Sequence, residues 1–194
     1  MRLRTTVLVT TLLLAPVAWT AARATTILRL PVEEMAAQAD LVVRADVTRV
    51  AVVADPDDER RISTRVSLRV RQVFKGHATA PTVTITLLGG STGRWTLAVP
   101  GTPRFTEGED VVLFLHATER GFKPSGLWLG KYAVRRDAAT GRARVSRVPA
   151  GGALLSKEAG VLVEEEAVSH ADDDLDLDDL VRRVRAGATA GGAR

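Results

Sequence analysis

Ile62-Ser63-Thr64-Arg65-Val66-Ser67-Leu68-Arg69-Val70-Arg71-Gln72-Val73 alternates between apolar and polar residues. Ile62, Val66, Leu68 and Val70 fall on one side, and Ser63, Arg65, Ser67, Arg69 and Arg71 on the other. Side chains of an extended chain point to opposite faces in turn, so this pattern predicts a half-buried antiparallel strand. Phe74-Lys75-Gly76 ends it. Thr82–Leu88 repeats the pattern, with Val83, Ile85 and Leu87 inward and Thr82, Thr84 and Thr86 outward, and Gly89-Gly90 closes it. On the other side, Leu41, Val43, Ala45 and Val47 alternate, then the phase slips near Thr48–Val50, as a β-bulge requires. Asp55-Pro56-Asp57-Asp58 is a polar turn between the two.

Further along, Trp95, Leu97 and Val99 predict a short strand. Val111–His116 is continuously apolar, as in a strand covered on both sides. Leu127–Arg135 and Arg142–Val148 predict a hairpin around Asp137–Gly141. Six or seven short strands at close intervals imply a mainly β domain, a small barrel or a sandwich. Two helices flank it. Leu30–Gln38 has Pro31 at a first helical position, Glu33 and Glu34 at the positive end, and Val32, Met35, Ala36 and Ala39 on one face. Asp172–Arg185 puts Leu177, Leu180, Val181 and Val184 on one face, with acids leading and arginines finishing. Thr189–Arg194 is expected to fray.

Residues 1–24 read as a secretory signal: Arg2 and Arg4, an apolar run from Val7 to Val17, and Ala22-Arg23-Ala24 as a cleavage site. Cutting there leaves 170 residues starting at Thr25 in a secreted or periplasmic protein, with no transmembrane segment after cleavage. The expected units are a β domain over 25–150 and, over 151–194, an acidic linker, the second helix and the tail. The 27 Lys and Arg and 23 Asp and Glu are segregated. Residues 25–150 carry a net +6 and residues 151–180 a net −9, which reads as an interaction tail or an internal electrostatic pairing. Arginine dominates the cations, a bias that points to a bacterial source. The absence of cysteine excludes disulfides, a lipid-modified Cys, Cys-based zinc sites and thiol catalysis.

Ala39-Asp40-Leu41-Val42-Val43-Arg44-Ala45, a loop, an alternating strand and Val73-Phe74-Lys75-Gly76 together resemble the netrin-type module, above all its tissue-inhibitor-of-metalloproteinases branch. Uncharacterised secreted bacterial proteins share this opening and continue with segments like Val99-Pro100-Gly101-Thr102-Pro103-Arg104-Phe105 and Gly130-Lys131-Tyr132. The resemblance covers about residues 25–135 and implies an OB-like antiparallel β-barrel. It also implies that a free amino end, with Thr25 and Thr26 in the leading places, would meet the zinc of a metalloprotease. The family's first residue is a disulfide-bonded cysteine, and Thr25 departs from that.

Other candidate chemistry is sparse. The stripe Arg65, Arg69, Arg71 would suit an acidic partner or the chain's own acidic segment; a solvated strand face is the simpler reading. Neither this stripe nor Thr82, Thr84 and Thr86 carries the aromatics that stack on bases, so no nucleic acid partner is expected. Asp174, Asp176 and Asp178 start like a calcium loop, but Asp179 and Arg185 stand where Gly and Glu are needed. Gly89-Gly90-Ser91-Thr92-Gly93 lacks the Lys of a phosphate-binding loop. His77, His116 and His170 are scattered, and there is no Gly-x-Ser-x-Gly elbow. The expectation is a secreted, non-catalytic protein-binding module of protease-inhibitor type, without metal or cofactor. Its alternatives are a cell-envelope interaction domain using the basic strand face, and a hydrolase whose His116 meets a Ser or Asp in space.

Overall fold

The computed structural model describes residues 26–119, 121–150, 153–158, 161–165 and 171–191. The chain runs β1 (Thr26–Leu28), α1 (Val32–Gln38), β2 (Leu41–Ala54), β3 (Ile62–Lys75), β4 (Thr82–Leu88), β5 (Gly90–Ser91), β6 (Thr96–Leu97), β7 (Asp110–Thr118) and β8 (Gly121–Pro124). A 3-10 turn (Leu127–Gly130), β9 (Lys131–Arg136), β10 (Ala143–Ser146), β11 (Ala153–Glu158), β12 (Val161–Glu165), β13 (Asp174–Asp176) and α2 (Leu177–Gly191) follow. The expected signal and Thr25 lie outside the described residues. Among those described, no helix is long and apolar enough to cross a membrane.

One eight-stranded sheet dominates, in the order β13-β10-β9-β7-β2-β3-β4-β8. β7 divides one of its edges. Val111–Leu113 pair with β9, while Leu115–Thr118 pair with β8. Because β8 also pairs in parallel with β4 through Ile85 and Phe122, the hydrogen-bonding returns to β7 after passing β2, β3 and β4. The expected slip in β2 is present as a register shift between Val47 and Arg49, and two more occur earlier, at Val42/Val43 and Arg44/Ala45. Each adds local twist, which lets one long strand serve β7 with its first half and β3 along its whole length.

The sheet is packed on both faces. One face carries Leu41, Val43, Val47, Val66, Leu68, Val83, Ile85, Leu113 and Leu115. The other carries Val42, Val112, Phe114, Tyr132 and Val145 beneath α1 and α2. This explains why Val111–Leu115 is apolar without interruption: every residue in it is buried. Alternation in β3 holds as expected, with Ile62, Val66 and Leu68 buried and Arg65, Arg69 and Arg71 exposed.

Both helices are tied down locally. Pro31 is the N-cap of α1 rather than its first helical residue. The C-terminal carbonyls of α1 are served by Lys75, whose Nζ donates to Ala36, Ala37 and Ala39 at 2.7, 2.9 and 2.7 Å. Next to it Gly76 has φ +77°, and a Cβ there would sit 2.2 Å from the Asp40 carbonyl oxygen. The motif at Lys75-Gly76 thus pins the α1–β2 junction. α2 crosses α1 so closely that a Cβ on Gly187 would meet the Glu33 carbonyl oxygen at 2.1 Å. Arg183 grips the Glu33 carboxylate through Nε and Nη2 at 2.5 and 2.9 Å and reaches Asp172 at 2.6 Å.

Several expectations need correction. Residues 172–176 are not helical. They form the end of a 3-10 turn at Ala171–Asp173 and then β13, paired with β10. The acids there are held by cations: Asp173 by Arg29 and Arg147, Asp174 by Arg144 and Asp176 by Arg142. The helix starts only at Leu177, where the Asp176 carboxylate accepts the Asp178 N–H at 3.0 Å. Thr189–Gly191 continue the helix instead of fraying. Leu127–Gly130 form a 3-10 turn, not a strand, because Leu127 takes a left-handed φ of 57° after Gly126. The strand expected at Trp95–Val99 shrinks to β6. β8 was not anticipated; four residues ending at a proline show no period. Across residue 150, β1 pairs with β11 and α2 shares a core with α1.

Candidate binding groove

The face of the sheet that packs Leu87, Val50 and Phe105 opens outward where β4 ends. There a groove of about 450 Å³ is lined by Val50, Val52, Leu87, Leu97, Val99 and Phe105, with backbone from the Gly89-Gly90 corner. Sequence and geometry agree locally. Gly89 has φ +104°, turning β4 into β5, and the short β5–β6 pair forms one wall. The opposite wall is the segment around Thr102–Phe105. Leu88 is 61% exposed and Val52 41%, so apolar surface continues onto the rim. Trp95, 39% exposed, sits on the β5–β6 turn under the Arg60 guanidinium at 5.1 Å. Arg104 is the only charged residue among those lining the groove. Its side chain is exposed and makes no ion pair among the described residues. Arg104 also borders a second depression with Thr106, Glu109 and Lys131. Here the buried Lys131 ammonium already satisfies Glu109 at 2.7 Å and lies 4.5 Å over the Phe105 ring.

The residues singled out in the sequence do not converge on this groove. Thr25 lies outside the described residues. Thr26 is the first residue of β1 and its backbone is in register with Ala153, so the strand ladder holds the chain there without a disulfide. Of the basic stripe, only Arg65 is without an ion partner among the described residues. Arg69 and Arg71 both bind Asp46, at 2.9 and 2.7 Å. Asp46 is buried, and the Arg71 guanidinium, seconded by Arg69, holds its carboxyl below the usual carboxylate range. Asp110 takes a bidentate grip from Arg44 at 3.0 and 2.7 Å. The sequence held a signal for this: Asp46 interrupts an apolar run, and antiparallel register sets it against Arg69.

The histidines part ways. His170 lies outside the described residues, and His77 is in the exposed turn after Gly76. His116 joins a cluster that was legible only as an open alternative. Its Nε2 is 3.0 Å from Ser125 Oγ, and its Nδ1 is 3.6 Å from Asp40 Oδ2. The connectivity is that of a Ser-His-Asp relay. Asp40 is positioned by accepting the Ala117 N–H at 2.8 Å. Ser125 is 3% exposed and its own N–H goes to the Phe114 carbonyl. Read structurally, the cluster fastens the start of β2 to the β7–β8 hairpin. Among the described residues, no group of three or more His, Asp or Glu is placed to hold a metal ion.

No family model matches this chain, and no curated protein does.

Proposed function

We propose that this chain is a secreted, non-catalytic protein-binding module built on an OB-like barrel, with the groove beside β4 as its binding site. The ring of pairings β7-β2-β3-β4-β8, antiparallel except for β4 with β8, supports the barrel reading. One observation carries the functional reading: an apolar cleft continuous with exposed Leu88 and Val52, bearing Arg104 as its one charged lining residue, without an ion pair among the described residues. Barrel mouths are common binding sites, and an apolar cleft with few polar groups buries a ligand while those groups orient it. The occupant that fits is an extended segment of another protein with apolar side chains and one carboxylate opposite Arg104. A random peptide library displayed against the purified chain tests this. Enriched peptides should combine apolar residues with an acid, lose binding with Leu88→Asp and weaken with Arg104→Ala. Absence of enrichment, or binding indifferent to Leu88→Asp, would remove the reading.

The resemblance adds a narrower form of the proposal, in which the amino end at Thr25 and Thr26 inhibits a metalloprotease. The β1–β11 ladder supports it by anchoring the strand that follows Thr25. Protein starting at Thr25 should then inhibit a zinc metalloprotease and lose that inhibition when residues are added before Thr25. Equal behaviour of the two forms rejects it.

A second reading rests on Ser125, His116 and Asp40. Their connectivity, with the left-handed Leu127 two residues from Ser125, favours a nucleophile held by a strained turn. A serine-directed phosphonate probe should label Ser125, and Ser125→Ala should abolish labelling. Unlabelled protein leaves the cluster its structural role.

A further inference from the structure

A second site lies on the helix-covered face of the sheet, away from the groove and sharing no residue with it. Arg44 on β2, Arg71 on β3 and Arg135 and Arg136 on β9 line a depression of about 180 Å³, and Asp110 is the one acid among its lining residues. The acids nearby are already committed. Asp110 gives one oxygen to each side of the Arg44 fork, and Asp46 is shared by Arg69 and Arg71. Among the described residues, Arg136 reaches only the Gly141 carbonyl, at 3.2 Å. Arg135 also borders the depression, but β9 alternates and Tyr132 and Val134 face the helices, so its side chain points to the opposite face, where its cross-strand neighbour is Arg144. The lining therefore holds more guanidinium donors than the chain's own carboxylates use, and a guanidinium edge matches oxyanions in pairs of hydrogen bonds.

We infer that this depression binds a doubly charged tetrahedral oxyanion, a phosphate or sulfate group. A single carboxylate would leave an excess of cations uncompensated. The inference is independent of the groove and survives its failure.

The test is a titration of the full chain, followed through the arginine Nε–Hε resonances at low ionic strength. The probes are inorganic phosphate, inorganic sulfate, glycerol phosphate and acetate. Phosphate and sulfate should shift the Arg44 and Arg71 signals saturably, while acetate at the same concentration does not. Arg136→Ala should weaken binding at least tenfold and leave the melting temperature unchanged, while Arg135→Ala, on the opposite face, should weaken it less. Arg60→Ala, beside Trp95, should bind like the parent. Glycerol phosphate binding more tightly than phosphate assigns the group to a larger ligand; equal binding assigns a free ion. Failure of every probe to saturate, equal shifts with acetate, or undiminished binding by Arg136→Ala would overturn the inference.

Discussion

Gly76 shows how one residue fixes a junction. Its positive φ is open to glycine and poorly tolerated elsewhere, and the Asp40 carbonyl occupies the space a side chain would take. Gly76→Ala should cost about 1–3 kcal/mol, read as a lower urea midpoint with an unchanged slope. A midpoint equal to the parent's would mean that the α1–β2 junction is looser than described. Asp46 offers a different probe. Its folded pKa, like that of Glu33, lies below the ordinary value, in the one case through Arg71 and in the other through Arg183. A depressed carboxyl stabilises the fold above its unfolded pKa and stops doing so as pH falls through the folded one. With ordinary values of 3.8 and 4.5, the melting temperature should be flat near neutrality and fall below about pH 4. Asp46→Asn should flatten part of that fall; identical acid profiles for variant and parent would contradict it. The pairing of Arg69 and Arg71 was hidden by reading the stripe alone. Only the neighbouring strand's register brings Asp46 beneath them.

Among the elements, α2 matters most. It adds Leu177, Leu180 and Val184 to the core that α1 builds over Phe114 and Tyr132. The segregated charge of the sequence is resolved here, because Asp173, Asp174 and Asp176 pair with Arg29 and with cations of the β10 region, while Asp172 pairs with Arg183 of α2 itself. Leu180 is fully buried, so Leu180→Ala should destabilise the chain by about 2–5 kcal/mol. Deleting residues 160–194 should lower the melting temperature further and raise binding of an apolar dye. A deletion without thermal effect would show that α2 does not dock. β3, β4 and both helices were legible because burial imposes a period on each, and β7 because burial on both faces leaves an unbroken apolar run. The 172–176 segment misled because acids before a helix look like its first turn, whereas long-range arginines draw them into β13. Neither β8 nor the 3-10 turn at Leu127–Gly130 carries a period; tertiary contact with β7 defines them.

For the molecule as a whole, the groove depends on how the sheet ends. β8 pairs with both β4 and β7, and the groove beside β4 is where the apolar face of the sheet meets solvent. No local pattern encodes this. The partners are far apart in sequence, and only Gly121, whose added Cβ would lie 2.8 Å from the Thr84 carbonyl oxygen, marks the close approach. The Ser125 cluster was legible only as an open alternative for the same reason, because it needs three separate segments to meet.

Backbone proton contacts between Ile85 and Phe122, measured by nuclear Overhauser spectroscopy with amide exchange on β4, decide whether the ring of strands exists. A cross-strand contact between these residues, alongside one between Leu115 and Pro124, and slow exchange at Ile85 is the expected result. A β8 that contacts β7 alone, with β4 amides exchanging freely along its outer edge, would contradict the ring and take the groove with it.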